Sequence, residues 1–233
     1  MSSVSLATPA SLALRASLLA FVAGFVDTVG FVSLSGLFTA HVTGNLVLIG
    51  ASLTGHSAGL LTKLLALPVF VVVVATVTAV ARARAVEGGP AQRPLLWVQA
   101  VMLAATLAAA LALQPLGEPD SARSMTVGLM AVAAMAIQNA GAKLAFSQLT
   151  PTTVMTGNVT QLVMDSVDVA MGHDAAARDR IRRFLPSVLA FAVGAIGGAL
   201  LYAWIGFAAL ALPVLALLMA MRDGASRAPQ ATG

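Results

Sequence analysis

Long apolar stretches separated by short polar segments run along almost the whole chain. Six of these stretches approach or exceed the about 17 residues that a helix needs to cross a bilayer. Two others are shorter and contain polar residues, so they predict helices that enter the membrane only partway. The six predicted crossings are 16–34, 64–81, 95–113, 125–142, 185–202 and 205–221, and the two predicted half-spans are 42–53 and 154–164.

Three prolines fall within the predicted crossings. Pro68 and Pro186 lie close to the predicted helix starts, where a missing backbone N–H costs little. Pro213 lies in the middle of the last crossing, so the sequence predicts a kink at that point.

The two half-spans contain the same tripeptide, Thr-Gly-Asn, in "AHVTGNLVLIG" at 40–50 and "TVMTGNVTQLV" at 153–163. Each copy follows a helix with a polar group near its centre, Asp27 in the first case and Gln138 with Asn139 in the second. Three predicted crossings separate the copies, so the two halves point in opposite directions. The sequence therefore predicts an inverted-topology repeat, with repeat one at 12–113 and repeat two at 124–222.

The composition places the chain among membrane proteins. Of its 233 residues, 59% are hydrophobic and only 9% are charged, whereas soluble domains carry about 25% charged residues. The predicted fold class is therefore all-α integral membrane, with one transmembrane domain over 1–233 and a disordered polar tail at 223–233. The chain has no cysteine, which excludes disulfides, thiolate metal sites and cysteine nucleophiles.

The basic residues predict the topology rather than nucleic-acid binding, because they lie at the ends of the apolar stretches. With a cytoplasmic N-terminus and two half-spans that return to the side they came from, eleven Lys and Arg residues are cytoplasmic and two, Lys63 and Arg123, are outside. If all eight segments cross, the split becomes nine to four. The first arrangement, with six crossings and both termini cytoplasmic, fits the orientation rule better; seven or eight spanning helices are the alternative.

The Thr-Gly-Asn copies predict a solute site between the two halves. A helix that begins inside the membrane exposes unpaired N–H groups and about half a positive charge, and glycine lets a ligand approach its backbone. Thr and Asn side chains add hydrogen-bond donors and acceptors. The alternative is that each copy is a tight turn between helices. The predicted site residues of the two copies are Thr43, Gly44, Asn45, Thr156, Gly157 and Asn158.

The polar side chains within the crossings extend this site. Asp27 lies near the centre of the first crossing, where a carboxylate usually marks an ion or proton path; the alternative is a structural hydrogen bond. Gln138 and Asn139 hold the matching place in the second half, and His41 lies two residues before Thr43. No metal site is predicted, because the three histidines are scattered, and no cofactor or enzymatic chemistry is predicted.

The motifs "GFVDTVGF", "AHVTGNLVLIG", "QNAGAKLA" and "PTTVMTGNVTQLV" resemble the YoaK family of bacterial membrane proteins, also called UPF0700 or DUF1275. The likeness covers about residues 12–220, and it includes the acidic residue at Asp27 and the Thr-Pro-Thr approach at 150–152. The resemblance implies a location in the bacterial inner membrane. The broken-helix layout is also similar to that of sulfate and nucleobase permeases, which is an architectural analogy and does not identify a substrate.

These observations predict a small inner-membrane transporter that binds a polar or anionic solute between its repeats, with Asp27 coupling a proton. The rival hypothesis is a scaffold or accessory subunit that transports nothing. The Gly-x-x-x-Gly pair Gly194 and Gly198 predicts internal helix packing, with a homodimer contact as the alternative. The predicted partners are the lipid bilayer and a small solute, and not a nucleic acid.

Overall fold

The structure is a computed structural model that describes residues 9–86 and 92–222. All regular structure within these ranges is helical, so the predicted all-α fold is confirmed. The predicted disordered tail at 223–233 lies outside the described residues. The helices are α1 Pro9–Ser33, α2 Gly44–Leu53, α3 Leu60–Val86, α4 Gln92–Ala112, α5 Ala122–Leu144, α6 Met155–Met171, α7 Ala177–Ile205 and α8 Ala211–Arg222, with a 3₁₀ turn at Gly206–Leu210.

Five helical stretches are long and apolar enough to cross a membrane, and one of them, Ala177–Met221, is 45 residues long and contains both α7 and α8. Helix α2 is apolar as well but has only 10 residues. By length and composition, the chain is therefore a multi-pass membrane protein in contact with lipid.

The proline predictions were wrong, because the helices extend beyond their apolar centres. Helix α3 begins at Leu60 and α7 at Ala177, so Pro68 and Pro186 both lie well inside a helix. Pro213 instead lies in the first turn of α8, after the 3₁₀ turn has already separated α8 from α7. Polar first turns such as "ARDRIRR" form helix outside the apolar stretch, which a count of apolar residues does not detect.

Hydrogen bonds between loops define the two ends of the helical bundle. At one end, where α1, α4 and α7 begin, Gln92 Nε2 donates to the carbonyl of Ala145 at 2.9 Å. At the other end, where α3 and α5 begin, Lys63 Nζ donates to the carbonyl of Ser35 at 2.7 Å. We call these the arginine-rich end and the Lys63 end.

The cations within the described residues are distributed unequally between these ends. Lys63 and Arg123 lie at the Lys63 end, in the first turns of α3 and α5. The remainder lie at the arginine-rich end: Arg15, Arg82, Arg84, Arg93, Lys143, Arg178, Arg180, Arg182, Arg183 and Arg222.

The helices pack in a pattern that is the same for both halves of the chain. Helix α1 packs against α7 and α8, while α5 packs against α3 and α4. Among the described helices, α2 contacts α3 and α6 contacts α7, and neither has a second helical neighbour. If each of the helices α1–α4 is matched in order with one of the helices α5–α8, the main contacts of one half therefore correspond to those of the other half.

Helices α1 and α7 run parallel and touch through glycines. A Cβ atom at Gly194 would overlap the backbone of Phe21, and one at Gly24 would overlap the backbone of Phe191. A Cβ at Gly198 would come within 2.8 Å of the carbonyl oxygen of Phe25. The Gly-x-x-x-Gly face is thus buried inside one chain, which agrees with the internal-packing prediction and makes this face unavailable for a dimer.

Candidate functional site

The first helix break covers residues 34–43 and turns back along α1. Helix α1 ends because Ser35 and Gly36 adopt left-handed backbone conformations, with φ of 55° and 81°. The chain then lies directly on Gly30, where a Cβ atom would come within 2.7 Å of the Thr39 methyl group. Helix α2 begins only after this reversal, so the break lies beside α1 rather than beyond its end.

Asp27 holds this break in place. Its Oδ1 accepts hydrogen bonds from the backbone amides of Thr39 and Ala40, both at 2.7 Å, and from the Thr39 hydroxyl at 3.2 Å. Asp27 as a whole residue is 5% exposed, so these donors replace the water that its carboxyl group would otherwise bind. The polar group that the sequence places inside a crossing is therefore an anchor for backbone amides.

His41 completes the coordination of this carboxylate. Its Nδ1 lies 2.7 Å from Asp27 Oδ2, and the imidazole packs edge-on against Phe191 of α7. The ring also lies near the backbone of Thr153, which belongs to the second break. Side-chain exposure is 32% for His41 and 7% for Asp27, so the histidine is the accessible member of the pair.

The first Thr-Gly-Asn copy binds its own loop. The Asn45 side chain accepts from the Phe38 amide at 2.9 Å and donates to the Phe38 carbonyl at 2.8 Å. Asn45 is 1% exposed, while Thr43 is exposed. The asparagine therefore closes the loop of the break, and the threonine side chain is accessible.

The second break, residues 145–154, repeats this arrangement with weaker contacts. Asn158 Nδ2 donates to the carbonyl of Pro151 at 2.6 Å, again seven residues back, but proline offers no N–H for a second bond. Thr153 donates to Asn139 Oδ1 at 2.7 Å, and Gln138 donates to the Thr152 hydroxyl at 3.2 Å. Here neutral groups take the place of the carboxylate.

The two breaks meet at Asn139. Its Nδ2 donates to the carbonyl of Ala40 in the first break at 3.2 Å, while its Oδ1 accepts from Thr153 in the second. Together with the contact between His41 and Thr153, this joins the tips of both breaks into one polar cluster. Two segments more than 100 residues apart in the chain thereby face each other inside the bundle.

Gln99 of α4 belongs to the same cluster, and the sequence reasoning missed it. Its Nε2 donates to Gln138 Oε1 at 2.6 Å, and Gln138 in turn donates to the carbonyl of Leu19 at 2.8 Å. Both glutamines are buried. Gln99 is a polar residue inside the apolar stretch 95–113, and this pattern could have identified it from the sequence.

The predicted site residues divide into three groups. Four of them, Asp27, His41, Gln138 and Asn139, lie in the polar cluster. Asn45 and Asn158 are buried and bind their own loops. The remaining four flank the cluster: Thr43, Thr156 and Gly157 are exposed, and Gly44 is half-buried under the Phe38 ring. Contact with a solute stays a prediction for all ten residues, which are Asp27, His41, Thr43, Gly44, Asn45, Gln138, Asn139, Thr156, Gly157 and Asn158.

Two hollow spaces lie next to this cluster. A cavity of about 10 Å³, which is about the size of one water molecule, is lined by Gln99, Gln138 and Thr152. An open cleft of about 560 Å³ lies at the arginine-rich end, and both spaces are lined in part by Leu149 and Thr150. Within residues 9–86 and 92–222, no three His, Asp or Glu side chains are grouped as metal ligands.

Comparison with known proteins identifies a family. Residues 15–222 match the family described as "Protein of unknown function (DUF1275)". The chain belongs to this family. The match covers both breaks and all of the polar cluster, and it confirms the resemblance seen in the motifs. No curated protein and no solved structure was found to match this DUF1275 chain.

Proposed function

We propose that this DUF1275 protein is an inverted-topology repeat with six crossings and two half-helices. The exchange of contacts between the halves supports this proposal, because α1 packs on the third and fourth helices of the other half and α5 does the same. Each half also contains one break at which the chain turns back before a half-helix. In this proposal repeat one covers 12–113 and repeat two covers 124–222.

The arginine-rich end faces the cytoplasm of a bacterial inner membrane in this proposal. Ten of the described Lys and Arg residues lie at that end and two at the Lys63 end, and short cytoplasmic loops carry an excess of such residues. Both termini are then cytoplasmic, because α1 begins and α8 ends at the arginine-rich end.

The function we propose is transport of a small polar or anionic solute, coupled to a proton through Asp27. The observation that carries this proposal is the pair formed by His41 and Asp27 at the meeting point of the two breaks. Ionisable groups within membrane-spanning helices usually mark ion or proton paths. In this proposal a proton reaches the buried Asp27 carboxylate through the more exposed His41 side chain.

The start of α6 supports an anionic or strongly polar solute. Neither α2 nor α6 has a side-chain cap on its first N–H groups. The first amides of α2 donate to the carbonyls of His41, Val42 and Thr43, so the start of α6 is the one that offers its partial positive charge to a solute. Thr43 and Thr156 lie at these starts with their side chains exposed. We propose that the two threonines, with Gly44 and Gly157, form the solute-facing side of the site.

Thiol labelling tests for a water path to this site, since the chain has no cysteine of its own. Thr43→Cys and Thr156→Cys should react with a charged thiol reagent that does not enter lipid. Val72→Cys is the control, because Val72 is 63% exposed in the middle of α3 and should face lipid. Labelling of both threonine positions but not of Val72 is the expected result.

The second candidate function is a membrane scaffold, which one observation favours. Asn45 and Asn158 are buried, and their amides bind backbone of their own loops, as they would if the motif only locked the helices together. A scaffold needs no aqueous path, so Thr43→Cys and Thr156→Cys would then react no faster than Val72→Cys. That outcome would contradict the transport proposal.

A further inference from the structure

The cleft at the arginine-rich end is distinct from the polar cluster. Its volume is about 560 Å³, within the range of sites for small ligands. The start of α1, the second break and the start of α7 form its three walls. The Thr150 hydroxyl donates to the carbonyl of Arg183 at 3.2 Å and so ties the second wall to the third.

The third wall carries an uncompensated positive charge. Arg182 Nη1 lies 3.6 Å from Asp179, and both side chains are largely exposed, so this pair is weak but balanced in charge. Arg183 has no acidic partner within the described part of the chain. Its guanidinium can therefore bind a carboxylate or a phosphate through paired hydrogen bonds.

The wall formed by α1 is apolar, with Leu12, Ala13 and Ala16. The wall formed by the second break is mixed, with Leu149 beside the polar side chains of Gln148 and Thr150. Alanine at position 13 of α1 leaves room in front of the arginines that a larger side chain would fill. The cleft thus combines an apolar surface with one free cation, which suits a ligand that has an apolar body and an anionic end.

We propose that this cleft binds a small organic anion, an apolar body carrying one phosphate or carboxylate group, with Arg183 holding the anionic end. The binding does not depend on transport, so it stands or falls separately from the proposed function. The same chemistry is offered by a soluble phosphate ester and by the headgroup of an anionic lipid. The two sources are distinguished experimentally.

The test measures binding of butyl phosphate to the full-length protein in phosphatidylcholine nanodiscs by titration calorimetry. We expect saturable binding, and binding of inorganic phosphate at least about tenfold weaker because it lacks the apolar body. Arg183→Gln should weaken butyl phosphate binding by about tenfold or more. Arg178→Gln is the matched control: it removes an equal charge from the same helix start, but Arg178 does not line the cleft, so its effect should be less than twofold.

A second variant tests the apolar wall. Ala13→Phe should fill the cleft and abolish binding, while its elution volume and unfolding temperature should show that the protein still folds. Repeating the titration in nanodiscs that contain phosphatidylglycerol then identifies the source: competition by the lipid indicates a lipid headgroup, and unchanged binding indicates a soluble anion. Absence of saturable binding, or equal losses in Arg178→Gln and Arg183→Gln, would overturn the proposal.

Discussion

The first break is held by a carboxylate, whereas the second is held by neutral amides and hydroxyls. Asp27 fixes the backbone of Thr39 and Ala40 directly, and hydrogen bonds to a charged group are about twice as strong as neutral ones. At the matching place, Asn139 accepts only from the Thr153 hydroxyl. The same tripeptide therefore follows a firmly anchored break in one half and a loosely anchored break in the other.

Helices α2 and α6 differ at their C-terminal ends, which we call their outer ends, in the opposite sense. Helix α6 is tied to α7 where Arg180 donates to Asp165 at 2.7 Å and to Asp174 at 2.6 Å. Such a charged link is not present between α2 and its neighbour α3 within the described residues. Helix α2 is thus fixed at its inner end and α6 at its outer end, so we expect the inner end of α6 to be the part that moves during any transport cycle.

Removing the anchor of the first break should have the largest effect. Asp27→Ala leaves the buried amides of Thr39 and Ala40 without an acceptor, so we expect it to lower the free energy of unfolding by about 3–5 kcal/mol. Asn139→Ala removes neutral hydrogen bonds only and should cost about 1–2 kcal/mol. Equilibrium unfolding in mixed detergent micelles measures both values. Equal losses would show that the two breaks are anchored alike.

Removing the outer link of α6 should have the next largest effect. Arg180→Gln leaves Asp165, which is 0% exposed, without its cation, and we expect the unfolding temperature to fall by about 5 °C. Arg182→Gln is the control, because it breaks only the exposed pair with Asp179 and should shift that temperature by about 1 °C. Hydrogen exchange should increase at the outer end of α6 in the first variant alone. Unchanged exchange there would mean that α6 is held by other contacts.

The two asparagines should differ in proportion to their hydrogen bonds. Asn45→Ala breaks two bonds to Phe38, and we expect a loss of about 1–2 kcal/mol in the free energy of unfolding. Asn158→Ala breaks one bond to the Pro151 carbonyl and one weak bond to the Met155 sulfur at 3.7 Å, and should cost about half as much. The same unfolding measurement applies. A larger loss at Asn158 than at Asn45 would mean that the second break is anchored more firmly than the first.

The smallest expected effect is a pH dependence at the membrane surface. Partial burial raises the pKa of Asp120, but hydrogen bonds from Thr62 and Leu61 outweigh it and bring that pKa below its ordinary value. A lowered folded-state pKa gives stability that is present above the unfolded value of about 3.9 and is lost as the pH falls through the folded value. Asp120→Asn should therefore flatten the decline in unfolding temperature between pH 5 and pH 3, whereas an unchanged slope would mean that Asp120 does not contribute to it.

Asp174, at the opposite end of the bundle, should respond in the same direction. Its pKa is lowered mainly by the hydrogen bond from Arg180. Because that bond also belongs to the outer link of α6, Asp174→Asn should reduce the acid sensitivity and slightly increase hydrogen exchange in α6. Asp120→Asn should leave exchange in α6 unchanged, which separates the two ends of the molecule.

The positions of the helices were largely predictable from the sequence, but some of the residues at which helices end were not. Helix α2 occupies 44–53 within the predicted half-span 42–53. Helix α6 continues to Met171, beyond the predicted end at 164, because Asp165 and the residues after it interrupt the apolar pattern without ending the helix. The buried Asp165 is tolerated only because Arg180 reaches it from α7, a contact that the sequence does not reveal.

The candidate site was predictable in its residue types but not in its contacts. Asp27, His41, Gln138 and Asn139 were identified because polar side chains are conspicuous inside apolar stretches. Gln99 was missed, although it meets Gln138 from 39 residues away. Likewise, the sequence did not reveal that the Asn45 side chain is hydrogen bonded to the backbone of Phe38.

Local chemistry in the sequence determined the apolar helices and the two polar interruptions, because helix length and polarity are properties of neighbouring residues. Only the tertiary structure decided which groups satisfy one another: Asn139 reaches Ala40 across 99 residues, and glycines bring α1 and α7 into backbone contact. A buried polar group must find a partner, but packing determines which of several chemically equivalent partners is within reach.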